Sequence, residues 1–257
     1  MEYNLDSMYG LKDEVAVITG GSGSIGAEAG LNLASLGAKV VLMGRNEEKL
    51  RNIQQEYKRS GIEIDIGILN ILEKNSVQAA MKNVADKYGK IDILINSAGA
   101  SHLEDAVDFS EDKWDMIMGV NVKGMFLSCQ AAGKFFLEQK KGRIVNVSSV
   151  RGIQGRARDM AYAPSKGAVN QLTKSLAIEW ASHNVCVNAI APTFTVTDIN
   201  REDLKNKEYH DWVVSRIPKG RFCELKYLVG PIAFLCSPCM EFVTGQILYV
   251  DGGWTVA

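Results

Sequence analysis

The sequence predicts one doubly wound α/β domain, a seven-stranded parallel sheet with helices on both faces. Three observations predict it. Short runs of β-branched and aliphatic residues alternate with longer helical stretches along nearly the whole chain. Several of those runs are apolar at almost every position rather than at every second one, the pattern of strands buried on both faces. No Pro/Gly/Ser-rich linker and no repeat divides the 257 residues, a length that one α/β unit can fill.

The elements follow in order. Glu14–Thr19 (EVAVIT) is the first strand, and a Gly/Ser cluster then opens a helix running to Leu36. Lys39–Met43 (KVVLM) is the second strand, followed by a charged helix from Asn46. Ile62–Leu69 is a weaker third strand, with a helix from about Lys74 to Tyr88 behind it. Ile91–Ile95 (IDILI) and Arg143–Val147 (RIVNV) are the fourth and fifth strands. Between them lies a long helical stretch that the hydroxyl of Ser110 could cap. A helix over about Met160–Ser182 leads to the sixth strand, Val185–Ile190, and Gln246–Val250 is the seventh. Phe194–Phe222 breaks the alternation. It is polar, carries Trp212 and is long for a connection, as lids and binding loops are.

Composition removes several classes of function. Apolar residues make up 46% and charged residues 23%, which gives a real core and excludes a disordered chain. With 29 Lys+Arg against 30 Asp+Glu there is no basic excess for nucleic acid or an anionic membrane. The opening residues MEYNLDSMYGLKDE lack a basic segment followed by an apolar one, and no apolar run reaches the roughly 18 residues that span a bilayer. The expected location is the cytoplasm. Five cysteines are then expected as free thiols, and Cys236-Ser237-Pro238-Cys239 lacks the second ligand pair of a zinc site, so no metal is expected.

Thr19-Gly20-Gly21-Ser22-Gly23-Ser24-Ile25-Gly26 joins the first strand to the first helix. Glycines there let backbone N–H groups approach a pyrophosphate at a positive helix N-terminus, the chemistry of a dinucleotide site. Tyr162 and Lys166 stand four apart, on one face of a helix, where an ammonium could favour the phenolate. Ser149 lies thirteen positions before Tyr162, at the carboxyl end of the fifth strand, where open α/β sheets bind ligands.

Together with Asn96-Ser97-Ala98-Gly99, Asn121, Val147-Ser148-Ser149, Asn188-Ala189-Ile190-Ala191-Pro192, Thr244-Gly245 and Asp251-Gly252-Gly253, these motifs stand in an order that resembles the short-chain dehydrogenase/reductase family over essentially the whole chain. The resemblance implies a Rossmann-type fold and a catalytic tetrad. Tyr162 would be the general acid/base, Lys166 would lower its pKa and bind the nicotinamide ribose, Ser149 would orient the reacting oxygen, and Asn121 would hold a proton-relay water. It also implies cofactor contacts from Gly20, Ser22, Ser24, Ile25, Gly26, Asn70, Ile71, Asn96, Ala98, Gly99, Pro192, Thr195 and Thr197. Ser24, Ser97, Asn70 and Thr193 depart from the family's usual residues without touching the tetrad; Asn70 can still accept through its amide oxygen.

Cofactor choice is read at the end of the second strand. An NAD site has an acid there for the ribose 2′-hydroxyl. Here the residue is Gly44, and Arg45 and Asn46 follow, with Ser22 near by in the glycine loop. A missing acid and a gained base select NADP(H). The substrate is expected to be a small secondary alcohol or ketone. The C-terminal half, including Ile217-Pro218-Lys219-Gly220-Arg221, is similar to gluconate 5-dehydrogenase-like members, which act on sugar acids or polyols. The alternatives are 3-oxoacyl thioesters, a steroid or bile-acid hydroxyl and, more remotely, a catalytically idle binding protein. Where gluconate-type chains carry an arginine after the Asn-Asn-Ala-Gly stretch, this chain has Ala100-Ser101-His102. Candidate substrate residues are His102, Arg151 and Trp212; Arg151, Arg156 and Arg158 lie between Ser149 and Tyr162 and could face an anion, with a surface or subunit contact the favoured reading for Arg156 and Arg158. The resemblance, with apolar runs at Met116–Leu127, Ala168–Trp180 and Ile247–Val250, implies a homotetramer.

Overall fold

The computed structural model describes residue 4, residues 8–197 and residues 203–257. Seven parallel strands form one sheet in the order β3-β2-β1-β4-β5-β6-β7. They are β1 (Val15–Thr19), β2 (Lys39–Gly44), β3 (Asp65–Ile68), β4 (Ile93–Asn96), β5 (Gly142–Val147), β6 (Val185–Pro192) and β7 (Ile247–Val250). The helices between them are α1 (Ser24–Ser35), α2 (Glu47–Arg59), α3 (Lys74–Tyr88), α4 (Glu111–Met118), α5 (Met125–Gln139), α6 (Tyr162–Trp180), α7 (Lys207–Arg216) and α8 (Lys226–Cys236).

Strand alternation sorts the core into two layers. Val15 and Val17 of β1 face Val77, Met81, Phe136 and Trp180 of α3, α5 and α6. Ala16 and Ile18 face Leu33, Leu50, Leu228 and Ile232 of α1, α2 and α8. Right-handed crossovers carry the chain outward from β1 to β3 and then back to β4 on the other side. The loops after β1 and β4 therefore diverge and open a crevice at the carboxyl ends of the strands.

Local differences from the sequence reading have physical causes. β4 runs from Ile93, and just before it Asp92 bonds to both neighbouring strands, its N–H donating to Val15 O at 2.9 Å, its carbonyl accepting from Arg143 N at 3.0 Å and its carboxylate accepting the Val15 N–H at 2.8 Å. β3 shrinks to four residues at the sheet edge, and β6 runs two residues further, to Pro192, paired with β7. The long stretch before β5 is α4 and α5 joined by a π-helical turn over Gly119–Gly124. Ser110 occupies the N-cap position of α4, but its side chain makes no capping bond. Of the expected lid, residues 198–202 lie outside the described residues; its described part holds the 3-10 turn Asp203–Lys205 and α7. Among the described residues, no helix is long and apolar enough to cross a membrane. None of the five cysteines is paired.

Candidate active site

A cleft of about 770 Å³ runs along the carboxyl ends of the strands. At one end the glycine loop lies flat on the neighbouring chain. Gly20 has φ +68°, and a Cβ on it would stand 2.5 Å from the Ala98 nitrogen, so only glycine fits. A Cβ on Gly26 would stand 2.5 Å from the Gly20 carbonyl oxygen, which makes Gly26 a packing residue behind the loop rather than part of the cleft wall. Ser22, Ser24 and Ile25 line the cleft, as do Gly44 and the exposed Arg45. Asn46 caps α2, its amide oxygen accepting from Lys49 N at 2.9 Å, so its NH₂ alone remains to reach outward.

On the opposite wall, Ser149 follows β5 and Tyr162 opens α6. The Ser149 hydroxyl is hydrogen-bonded to the phenol and accepts the Arg151 backbone N–H at 3.1 Å. Ser148 is spent elsewhere, its hydroxyl 2.5 Å from the Asn170 amide oxygen, so Ser149 is the serine paired with the phenol. Lys166 Nζ donates to the Val147 carbonyl at 2.7 Å and lies 5.5 Å from the Tyr162 ring centroid. Burial pushes the Lys166 ammonium down to about 8. Burial also pushes the Tyr162 phenol above its usual value; Asp159 adds to that, while Ser149 and Arg151 oppose it. Lys166 is not among the influences on the phenol in the free protein. Desolvation outweighs every charge near the hydroxyl.

Asn121 sits in the π-turn and is fully buried. Its side chain clamps the backbone of Ala100, accepting from N at 2.8 Å and donating to O at 2.9 Å, and also donates to Ser165 Oγ at 2.9 Å. Both N–H donors of that amide are committed, while its oxygen keeps a second lone pair. Asn96 likewise lies under the cleft, bonded to Asn146 at 2.9 Å and Thr19 at 3.2 Å, and supports the Ser97–Gly99 wall from below. Asn70 is not on the cleft wall. Its oxygen accepts from Leu72 N and its NH₂ donates to Glu73, closing the turn before α3, whereas Ile71 does reach the cleft. Ala98, Gly99, Pro192, Thr195 and Thr197 line it too, and beside Pro192 the Thr193 hydroxyl is buried with no hydrogen-bond partner among the described residues.

Of the expected substrate residues, His102 lines the cleft between Lys113, at 2.7 Å, and Glu104, at 3.2 Å. Arg151 lines it and is buried. Trp212 does not: it is 41% exposed and stacks outside Tyr209, which is the residue of α7 that reaches the cleft. Arg156 and Arg158 both line the cleft: Arg156 is half-buried on its wall, and Arg158 is exposed and paired with Asp105 at 3.2 Å. Phe194, Tyr209 and the buried Asp159 complete that end and were not singled out from sequence. Asp159 left one signal, an acid just before the Tyr162 motif.

A family profile described as enoyl-(acyl carrier protein) reductase matches residues 20–255. The chain is 35% identical to gluconate 5-dehydrogenase of Gluconobacter oxydans, over 97% of this chain and 98% of that protein. It is 36% identical to a 3-oxoacyl-(acyl-carrier-protein) reductase of Thermotoga maritima, over 96% of this chain and 99% of that one. Among solved structures it superposes on a gluconate 5-dehydrogenase from Burkholderia cenocepacia in complex with NADP and tartrate, with a TM-score of 0.95 and 34% identity, over 99% of this chain and all of that one.

Proposed function

The chain belongs to the short-chain dehydrogenase/reductase family, and we propose that it is an NADP(H)-dependent oxidoreductase interconverting a secondary alcohol and a ketone on a sugar acid or polyol. The observation that carries this reading is the buried Ser149–Tyr162–Lys166 set facing a glycine-lined cleft whose far end has Arg45 and no acid.

The cleft fits the cofactor. Gly20 leaves no side chain between the loop and Ala98, and Gly44 leaves Ser22 and Arg45 free to meet a 2′-phosphate together with the Asn46 NH₂. Ser24, Ile25, Ile71, Gly99, Pro192, Thr195 and Thr197 form the remaining walls. Bound there, the nicotinamide supplies or accepts the hydride. The protein supplies the proton. Ser149 holds the substrate oxygen against Tyr162, whose phenol donates to a carbonyl oxygen in reduction and whose phenolate takes the alcohol proton in oxidation. A phenol kept neutral by burial is ready to donate. Lys166 reaches from Val147 toward the ribose and the phenol, and the Asn121 turn holds a water that returns protons to Lys166.

The sugar-acid class rests on the gluconate 5-dehydrogenase relatives and on the arginines that line the cleft. The 3-oxoacyl reductase relative supports a second substrate class, and oxidation of NADPH with keto-sugar acids, 3-oxoacyl thioesters and steroid ketones separates them. We further infer a homotetramer in the cytoplasm with no membrane or nucleic-acid partner. In Tyr162→Phe, turnover should fall by about 10²-fold or more while NADP(H) binding, read by fluorescence quenching, stays near wild type. A variant keeping more than about a tenth of the wild-type rate removes Tyr162 from the acid/base role.

A further inference from the structure

The catalytic end of the cleft holds more positive charge than the protein neutralises. Arg151, two residues after Ser149, is 9% exposed. Its Nη1 donates to the Gly155 carbonyl at 3.2 Å, but its Nη2 is buried and has no acceptor among the described residues. The guanidinium carbon lies 5.7 Å from the Phe194 ring centroid and 5.6 Å from that of Trp254, surfaces that attract a cation without accepting its N–H groups in plane. Arg156 packs on the same Phe194 ring at 5.8 Å and on Tyr209 at 5.4 Å, and donates Nη2 to the Tyr209 hydroxyl at 2.8 Å.

Asp159 is the carboxylate felt by both arginines, and it spends an oxygen on the Ala163 N–H at 3.2 Å. Burial, and after it the Arg156 charge, draws the Arg151 pKa down. One acid faces two guanidinium groups, and a buried donor is left open. Such an arrangement is costly unless an anion completes it.

We propose that Arg151 and Arg156 receive the carboxylate of the substrate, so that the enzyme selects hydroxy and keto acids over their neutral counterparts. This rests on the sugar-acid reading above and adds to it the group that recognises the acid. The carboxylate accepts from Arg151 Nη2 and from the open donors of Arg156.

The test uses D-gluconate and D-glucitol with NADP⁺, a pair that differs only in carboxylate against hydroxymethyl at C1. In Arg151→Met the kcat/KM for D-gluconate should fall about tenfold to a hundredfold further than the kcat/KM for D-glucitol, since any change in the proton-transfer step is common to both substrates and divides out of the ratio. Arg151→Lys should restore part of the loss, and Arg156→Met should show a smaller loss of the same kind. Equal effects on both substrates, or none on D-gluconate, overturn the proposal. If the wild type oxidises neither compound, the sugar-acid reading fails separately. Carboxylate binding is then measured directly by titrating the NADP⁺-loaded protein with sodium D-gluconate, following tryptophan fluorescence, since Trp254 adjoins Arg151. Saturable binding lost in Arg151→Met supports the receiver; no binding, or equal binding in both proteins, overturns it.

Discussion

Cofactor choice is decided by two adjacent residues. Gly44 is buried at the end of β2, and a Cβ there would come within 3.2 Å of Ser22 Oγ. An aspartate at that position would crowd the serine and place a negative charge where a 2′-phosphate must lie. Arg45, exposed beside it, makes no ion pair among the described residues and is available to an anion. Charge-assisted hydrogen bonds of about 1.5–3 kcal/mol translate into a preference for NADP(H) of about tenfold to a hundredfold in kcat/KM. Arg45→Ala should lose most of that preference by losing efficiency with NADP(H), with NAD(H) kinetics nearly unchanged. Wild-type enzyme that uses both cofactors equally well would refute the assignment. At this scale the sequence was legible wherever the backbone dictates the residue, as at Gly20, or where a motif fixes spacing, as from Ser149 to Tyr162 and Lys166. It was not legible where the environment decides. The direction of the Tyr162 shift depends on burial that spacing does not encode, and Arg156 reads as an ordinary surface base until Phe194 and Tyr209 fold against it.

Among the elements, those with a strong apolar pattern were legible and those without were not. α7 is polar over most of its length and buries only Val213, so its sequence does not say which face turns inward. Trp212 drew attention by size, yet it stacks on the outer side of Tyr209, with ring centroids 6.0 Å apart, and it is Tyr209 that meets Phe194 and Arg156. The π-turn was equally hidden, since Gly119–Gly124 carries a helical composition, and only the fold reveals that the extra residue lets Asn121 clamp Ala100. A helix with one buried side chain, held to the cleft by Tyr209, is suited to move as a cover. We propose that role for the Phe194–Phe222 segment. In hydrogen exchange the amides of α7 should exchange far faster than those of β5 in the free protein and slow on adding NADP⁺ with D-gluconate. Protection equal to that of β5, unchanged by ligands, would rule out a moving cover.

For the molecule as a whole, the alternation of apolar runs sufficed for the sheet, because each strand must cover both layers, and the handedness of the crossovers sets where the crevice opens. Quaternary structure is written in what the core leaves over. Met116 and Phe126 are 42% and 41% exposed on α4 and α5, and Ile178 on α6 is 82% exposed, though each lies in an apolar run that the sheet only partly covers. Strand β7 pairs only with β6 and ends the sheet, half-buried at every position. An edge strand and apolar helix faces left open to water are costly in a monomer and are removed together when copies pack face to face and edge to edge, as two-fold axes in a tetramer allow. Light scattering should therefore give about four times the 28.1 kDa chain mass at micromolar concentration. Ile178→Glu and Phe126→Glu each place a charge on an exposed position that the fold does not need, so they should lower the mass to dimer or monomer while circular dichroism stays native. A wild-type monomer at that concentration, or charge variants with an unaltered assembly mass, would show that these faces are not the interfaces.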